Sequence, residues 1–550
     1  MTPAAQAGRV PMLLGDRQYM IDDGLDVHLA RPTTYVDVRD GALRDGPASD
    51  RVAVRTLPGG AARRVARLRP PRGRRGVREY DLDEALLDPD VMDPRLFEDD
   101  VFVRLHVFAG VHATIRFLEG LLGRRIRWAF GRRRLEVVPW AGEGRNAFYE
   151  RETGSIRFLE YDAEGRRLLL ALSRDIVAHE TAHAVLDAVA PDLYDAVDPD
   201  GLTVHEAVGD LVALLQTLQD EAMLYSAQAL YGGGVDPYEA LSRFAEELGT
   251  DLRRDEGAAA LRAGLSDASL DGVERADPHA ASAVVVGALL GVMRERAEAS
   301  GAEFERGAAA AARTLSRIVV PALNRLPPGE VTLADLARAL DAAADEVGGG
   351  RAWAAAIRRE LARRGVAADE AELRVPPAAR EPLAGWPATP ARLVAANRDR
   401  LGVPEGVRAT AAAVPFRDRA WSAAAPERTA LRAWWDVEEE HDLGAGLPSR
   451  WVHRAGVTAV VDGGGVPRSI HASGAGPGAC RRRAAQLRSW AEEGLLEGPA
   501  AGAEAAVRTV EAGRGRARVA GSARTLHVTR ERRPAAPSSS ARRRRPSARG

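Results

Sequence analysis

Two apolar helical runs on either side of a proline-marked break constrain this chain more than any other feature, because each carries charged side chains where an ordinary core would have none. In the first, Ile176, Val177, Ala178, Ala184, Val185, Leu186, Ala188 and Val189 surround His179-Glu180-Thr181-Ala182-His183. In the second, from Leu202 to Leu218, the residues Val204, Val208, Leu211, Val212, Leu214 and Leu215 surround Glu206 and Asp210. The periodicity predicts two helices, and Pro191 and Pro199 place a turn between them. The chain has 11 histidines in 550 residues, so two set four apart inside an apolar helix are hard to read as a solvated face.

Residues four apart share a helix face, so His179 and His183 can present both imidazoles to one ion. Glu180 follows the first histidine, where its carboxylate reaches a water bound to the ion rather than the ion itself. A catalytic zinc takes three protein ligands and keeps its fourth position for water. Glu206 is the candidate third ligand. Asp210, one turn beyond it, can accept a hydrogen bond from a ligand histidine's second nitrogen. Two nitrogens and a carboxylate beside a base favour Zn2+ over other divalent ions. The competing reading is a buried histidine pair satisfied by ordinary hydrogen bonds.

The run from Val177 to Asp187 resembles the active-site helix of the thermolysin-like (gluzincin) zinc metallopeptidases beyond its five-residue core. Glu206 and Asp210 are similar to that family's third zinc ligand and to the aspartate that holds the first zinc histidine. The resemblance extends, in the family's order, over roughly residues 100 to 350. It implies that Tyr194, eleven residues past His183, stabilises the tetrahedral intermediate. It implies that Asn146 and Ala147, in Asn146-Ala147-Phe148-Tyr149, pair with bound peptide at a sheet edge. It also implies that His279, in Pro278-His279-Ala280-Ala281-Ser282, is a second transition-state donor. The expected fold is α+β and two-lobed, with an N-terminal sheet lobe, a helical second lobe and additional terminal regions. The chain departs from the secreted members at Thr217, where they carry an acidic calcium ligand, and at His205, where they carry asparagine. Asp175 alone cannot make their paired-calcium site. Arg253 and Arg254 align only loosely with the family arginine that engages a substrate carbonyl.

Pattern and composition suggest four regions: an extension over 1–100 with an Arg/Pro/Gly linker at Arg63 to Arg78, a metallopeptidase-like domain over 101–365, a region of unassigned role over 366–530, and a basic tail over 531–550. Strands are expected at Tyr35 to Val38, Val52 to Arg55, Arg127 to Phe130, Arg134 to Val138, Gly154 to Tyr161, Val457 to Val461 and Ala506 to Val510. Helices are expected at Val101 to Leu121, whose first residues read equally as a strand or a helix start, and at Phe244 to Leu265, Ala280 to Glu298, Phe304 to Leu326, Leu333 to Glu346 and Arg481 to Glu493. All 77 basic side chains are arginine, and a net charge of -1 gives no drive toward nucleic acid. The single cysteine, Cys480, excludes an internal disulfide framework and reads as a passive thiol. Met1 to Pro11 has no basic patch followed by a long apolar run, and no membrane span is read, so a cytoplasmic location is expected. The function these residues support is a zinc-dependent endopeptidase acting on a peptide or protein substrate. The alternatives are a metallopeptidase-like scaffold without turnover and a nucleic-acid binder using the arginine runs; steep salt dependence would mark the latter.

Overall fold

The computed structural model describes residues 8–13, 33–38, 43–58, 63–69, 79–82, 97–163, 166–221, 223–225, 228, 238, 243–244, 262–417, 426–440, 450–473, 477–492, 509–512 and 525–528. Arg253, Arg254, residues 70–78 of the arginine-rich run and the basic tail over 531–550 lie outside the described residues. The chain divides into two compact units: Met1–Glu438 with His453–Gln486, and Glu439–Val452 with Leu487–Gly550.

In the first unit, β1 (Gly8–Leu13) pairs antiparallel with β2 (Thr33–Val38). Helix α1 (Asp100–Leu122) begins where the Asp99 carboxylate accepts the amides of Val101 and Phe102. It ends at Gly123, which adopts a φ of 69°. The segment near Val101 left strand and helix both open; it is helix throughout, and sixteen of its residues are buried, because apolar side chains occupy more than one face. By length and hydropathy α1 could cross a membrane, yet 83% of the qualifying window is buried inside the protein. Arg63 and Arg64, at the start of the arginine-rich run, ion-pair with Asp100 and Asp99.

A four-stranded sheet has the order β3-β4-β6-β5, formed by β3 (Val52–Val54), β4 (Leu135–Val138), β5 (Ala147–Glu150) and β6 (Ser155–Phe158). β3, β4 and β6 run parallel, and β5 lies antiparallel at the edge with Tyr149 opposite Ile156. Two sequence expectations change here. Arg127 to Phe130 is not a strand, because the chain turns there: the Gly131 amide donates to the Trp128 carbonyl at 3.2 Å with Gly131 at φ 69°, and Trp128 and Phe130 stack 5.6 Å apart. Gly154 to Tyr161 is not one strand but β6 followed by β7 (Glu160–Ala163), broken where the Leu159 amide turns to donate to the Asn146 carbonyl. β7 pairs with β8 (Arg166–Leu169), which leads into the metal-motif helix.

The helical region follows, with α2 (Arg174–Val189), α3 (Pro199–Thr217), α4 (Pro278–Glu298), α5 (Phe304–Ala322), α6 (Leu333–Ala344) and α7 (Gly350–Arg363). The expected helix over Phe244 to Leu265 is overturned at its described ends, which form the short antiparallel pair β9 (Arg243–Phe244) and β10 (Arg262–Ala263). α7 was not anticipated: Gly348-Gly349-Gly350 reads as punctuation, whereas Gly349 at φ 73° is the residue from which the helix starts. One apolar core runs through α1, the four-stranded sheet and α2 to α7. The result is a mixed α+β architecture that matches a two-lobed thermolysin-like fold, a sheet region followed by a helical region bearing the histidines.

Beyond α7, a short helix α8 (Pro390–Ala396) precedes a second four-stranded sheet of β11 (Thr410–Arg417), β12 (Glu427–Glu440), β13 (Arg450–Asp462) and β14 (Pro467–Ala472), in that order. Leu383, Leu393, Leu431 and Val457 form its small core, with Trp386 and Trp435 packed against it. The tryptophans of Leu383 to Leu443 read in sequence either as small packed units or as a partner-binding module; Trp386 and Trp435 are partly buried against a core, and Trp421 lies outside the described residues. Helix α9 (Pro477–Glu492) follows. The second unit contains the parallel pair β15 (Thr509–Ala512) and β16 (Thr525–Val528).

Candidate metal centre

Each ligand-bearing helix starts at a side-chain cap. Ser173 accepts from the Ile176 amide to begin α2, and Asp198 accepts from the Asp200 amide to begin α3, with Pro199 pre-set at the first helical position. The two helices pack closely because of one residue. A Cβ at Gly209 would lie 2.7 Å from both Cε1 and Nδ1 of His179, so the imidazole rests on the bare backbone of α3.

This packing brings the expected ligands together. His179 Nε2 lies 3.5 Å from one Glu206 oxygen, and His183 Nε2 lies 3.9 Å from the other. Ligand atoms at tetrahedral positions around zinc stand about 3.3 Å apart. His179 turns its other nitrogen, Nδ1, to Asp210 Oδ1 at 3.0 Å, which orients the ring with Nε2 toward Glu206. All four side chains are buried. Two imidazole nitrogens and a carboxylate in an enclosed space fit zinc.

The charges point the same way. Burial alone would lower His179, but hydrogen bonds to Asp210 and Glu206 outweigh it and raise the imidazole to about 10. Burial alone would raise Glu206, yet His279 and His179 hold it well below the carboxylate range. His183 is pushed well down by burial and by the neighbouring His205 and His179. The carboxylates thus favour positive charge on the His179 side of the pocket, as they would favour a cation there.

Glu180 sits beside this group, with its Oε2 accepting the Tyr149 amide of β5 at 2.8 Å. Burial, opposed by His179, raises its carboxyl to about 7. Tyr194 is buried, its hydroxyl accepting from the Arg151 amide at 3.2 Å and its ring packing edge-on to Tyr149 at 5.7 Å. His279 lies in the first turn of α4, and its Nδ1 is 3.1 Å from Glu206 Oε2. It is 44% exposed, so it borders the solvent side of the group. Asn146 and Ala147 stand at the start of the edge strand β5.

Three further residues belong to the arrangement. His205 stacks on His183 at 4.1 Å and 8°, and joins His183 and Glu206 in a second potential metal-holding group; its substitution for asparagine was the only sequence signal. Arg151 sits over the Tyr194 ring at 4.2 Å and ion-pairs with Asp187 at 2.5 Å and Asp195 at 2.6 Å. No motif singles it out. Gly209 had a signal, an isolated glycine inside an apolar helix, where close packing is the usual reason.

No protein-family model and no curated protein matches the sequence, so the assignment stands on the side chains. His179, Glu180 and His183, with Glu206 supplied from the next helix, match the active-site signature of the gluzincin zinc metallopeptidases. The site supports a catalytic zinc-peptidase centre, with Zn2+ as cofactor, rather than a purely scaffolding role.

Proposed function

We propose that this chain is a zinc-dependent endopeptidase that binds an extended peptide along β5 and hydrolyses it beside Glu180. The observation that carries this reading is the convergence of both Nε2 atoms and both Glu206 oxygens next to a carboxylate already tied to the edge strand. His179, His183 and Glu206 would hold the zinc, which when bound would supply Lewis acidity and lower the pKa of a water to near neutrality. Glu180 is the general base. One of its oxygens is fixed by the Tyr149 amide, leaving the other to take a proton and return it to the leaving amine.

Among the described residues β5 has a partner strand on one side only. Backbone groups alternate in direction along a strand, so the Ala147 N–H and C=O point to the same open edge as the Tyr149 N–H that reaches Glu180. A peptide added there is registered against the base by main-chain hydrogen bonds, and Asn146, whose carbonyl faces the β6 side, contributes through its exposed side chain. Asp210 orients His179. His279 orients Glu206 and, from its exposed position, donates to the developing oxyanion; Tyr194 is its counterpart donor, carried on the Arg151 contact.

Metal analysis paired with peptide-library cleavage tests this reading on the unmodified chain and on E180Q. The expected outcome is stoichiometric zinc in both proteins with cleavage lowered at least about a thousandfold in E180Q. Equal cleavage by the two proteins removes Glu180 as the base.

A further inference from the structure

The spacing of the two ligand helices depends on how residues 190–198 between them are held. The stretch from Asp187 to Asp200 carries five carboxylates, Asp187, Asp192, Asp195, Asp198 and Asp200. Like charges this close repel one another, and burial strengthens the repulsion. Arg151 answers Asp187 and Asp195 from the end of β5. Other contacts come from residues 243 to 284 positions further along the chain.

Arg432 on β12 donates to the Val189 carbonyl at the end of α2, at 2.7 Å. Arg454 on β13 pairs with Asp192 at 2.5 Å, and the other Asp192 oxygen accepts the Gly329 amide at 2.8 Å. Arg482 on α9 grips both oxygens of Asp198 at 2.8 and 2.9 Å and reaches Asp200 at 3.2 Å. Asp198 is fully buried and is itself the cap of α3. Glu330 completes the hold, its two oxygens accepting the Val197 and Asp198 amides at 3.1 Å each. A cation therefore meets the carbonyl end of α2, and a carboxylate fixed by a cation meets the amide end of α3. Both placements suit the helix dipoles.

We infer that Arg432, Arg454 and Arg482 are positioning residues for the metal centre, holding the connection between α2 and α3 so that Glu206 reaches both histidines. The inference rests on the ligand set proposed above. It assigns a task to the second sheet and α9, which lie beyond the segment that resembles a peptidase. Arg482 carries most of it, because its fork holds Asp198 by two parallel charge-assisted bonds that a lysine cannot reproduce.

The test measures zinc affinity of the full-length chain by chelator competition, with the visible spectrum of the cobalt-substituted protein as a reporter of ligand geometry and far-UV circular dichroism to follow folding. R482A should bind zinc about ten- to a hundredfold more weakly with a displaced cobalt band, and R482K should fall between it and wild type. R481A, which alters the exposed neighbour, should match wild type. R454A, whose arginine is 41% exposed, should lose about threefold. A folded R482A with wild-type affinity and an unmoved band overturns the inference; if R482A does not fold, R454A with unchanged affinity and band does so. A wild-type chain that binds zinc no more tightly than E206A overturns the ligand set instead.

Discussion

His179 and His471 are both buried imidazoles, and their surroundings drive them in opposite directions. His471, on β14, is lowered to about 3 by burial and by the nearby charges of Arg325 and Arg338. His106, on α1, is lowered to about 3 by burial and by Arg174. His179 experiences the same burial, yet Asp210 and Glu206 raise it to about 10. Burial is common to all three, and what sets His179 apart is the pair of carboxylates facing it. The same contrast shows why the bare spacing of His179 and His183 left an ordinary buried pair open, and why the zinc reading rests on Glu206 and Asp210.

Three substitutions sharpen or break this contrast. The largest effect is expected from G209A, whose methyl group would occupy space now filled by the His179 ring 2.7 Å away. Displacing a ligand should cost more than losing its orienting partner, so zinc affinity should fall by more than about a hundredfold. Wild-type affinity in G209A would mean that the ring is not held by close contact with α3. D210N keeps the shape and removes the charge behind His179, and should weaken zinc binding by about ten- to a hundredfold in the same chelator titration. An unchanged value would remove the carboxylate from the argument.

H471N should be the mildest and should leave zinc content and cleavage at neutral pH unchanged. Its effect is on acid stability. The folded imidazole, near 3, lies below the unfolded value of about 6.5, so the folded state resists protonation. Its contribution is complete above that unfolded value and is lost as pH falls below it, at up to about 1.4 kcal/mol per pH unit. Denaturant titrations between pH 7 and pH 5 should give a shallower slope for H471N than for wild type. Parallel slopes would show that His471 is protonated without cost.

What the sequence made legible follows from the range of the interactions involved. α2, α3 and the ligand set announce themselves because polar residues at helical spacing interrupt an apolar run. Tyr194 and His279 could be located only through family offsets, since each comes from a separate element and no local pattern links them to His179. Arg151, Arg432, Arg454 and Arg482 were out of reach: in a chain with 77 arginines, one whose partner lies 36 to 284 residues away looks like any other. His205 registered only as a departure from asparagine, because stacking on His183 depends on how two helices face. Arg127 to Phe130 was misread because aromatic residues favour strands and also stack well in turns.

The three proposed ligands come from two helices that are neighbours in sequence, and this limits what metal loss can do. An ion joining residues 179 and 206 fastens a corner rather than linking distant parts of the chain, and the sheets and helices remain held by apolar cores that do not involve it. Chelation should therefore loosen that corner first, so early proteolytic nicks should fall within residues 190–198 while the bulk of the secondary structure persists.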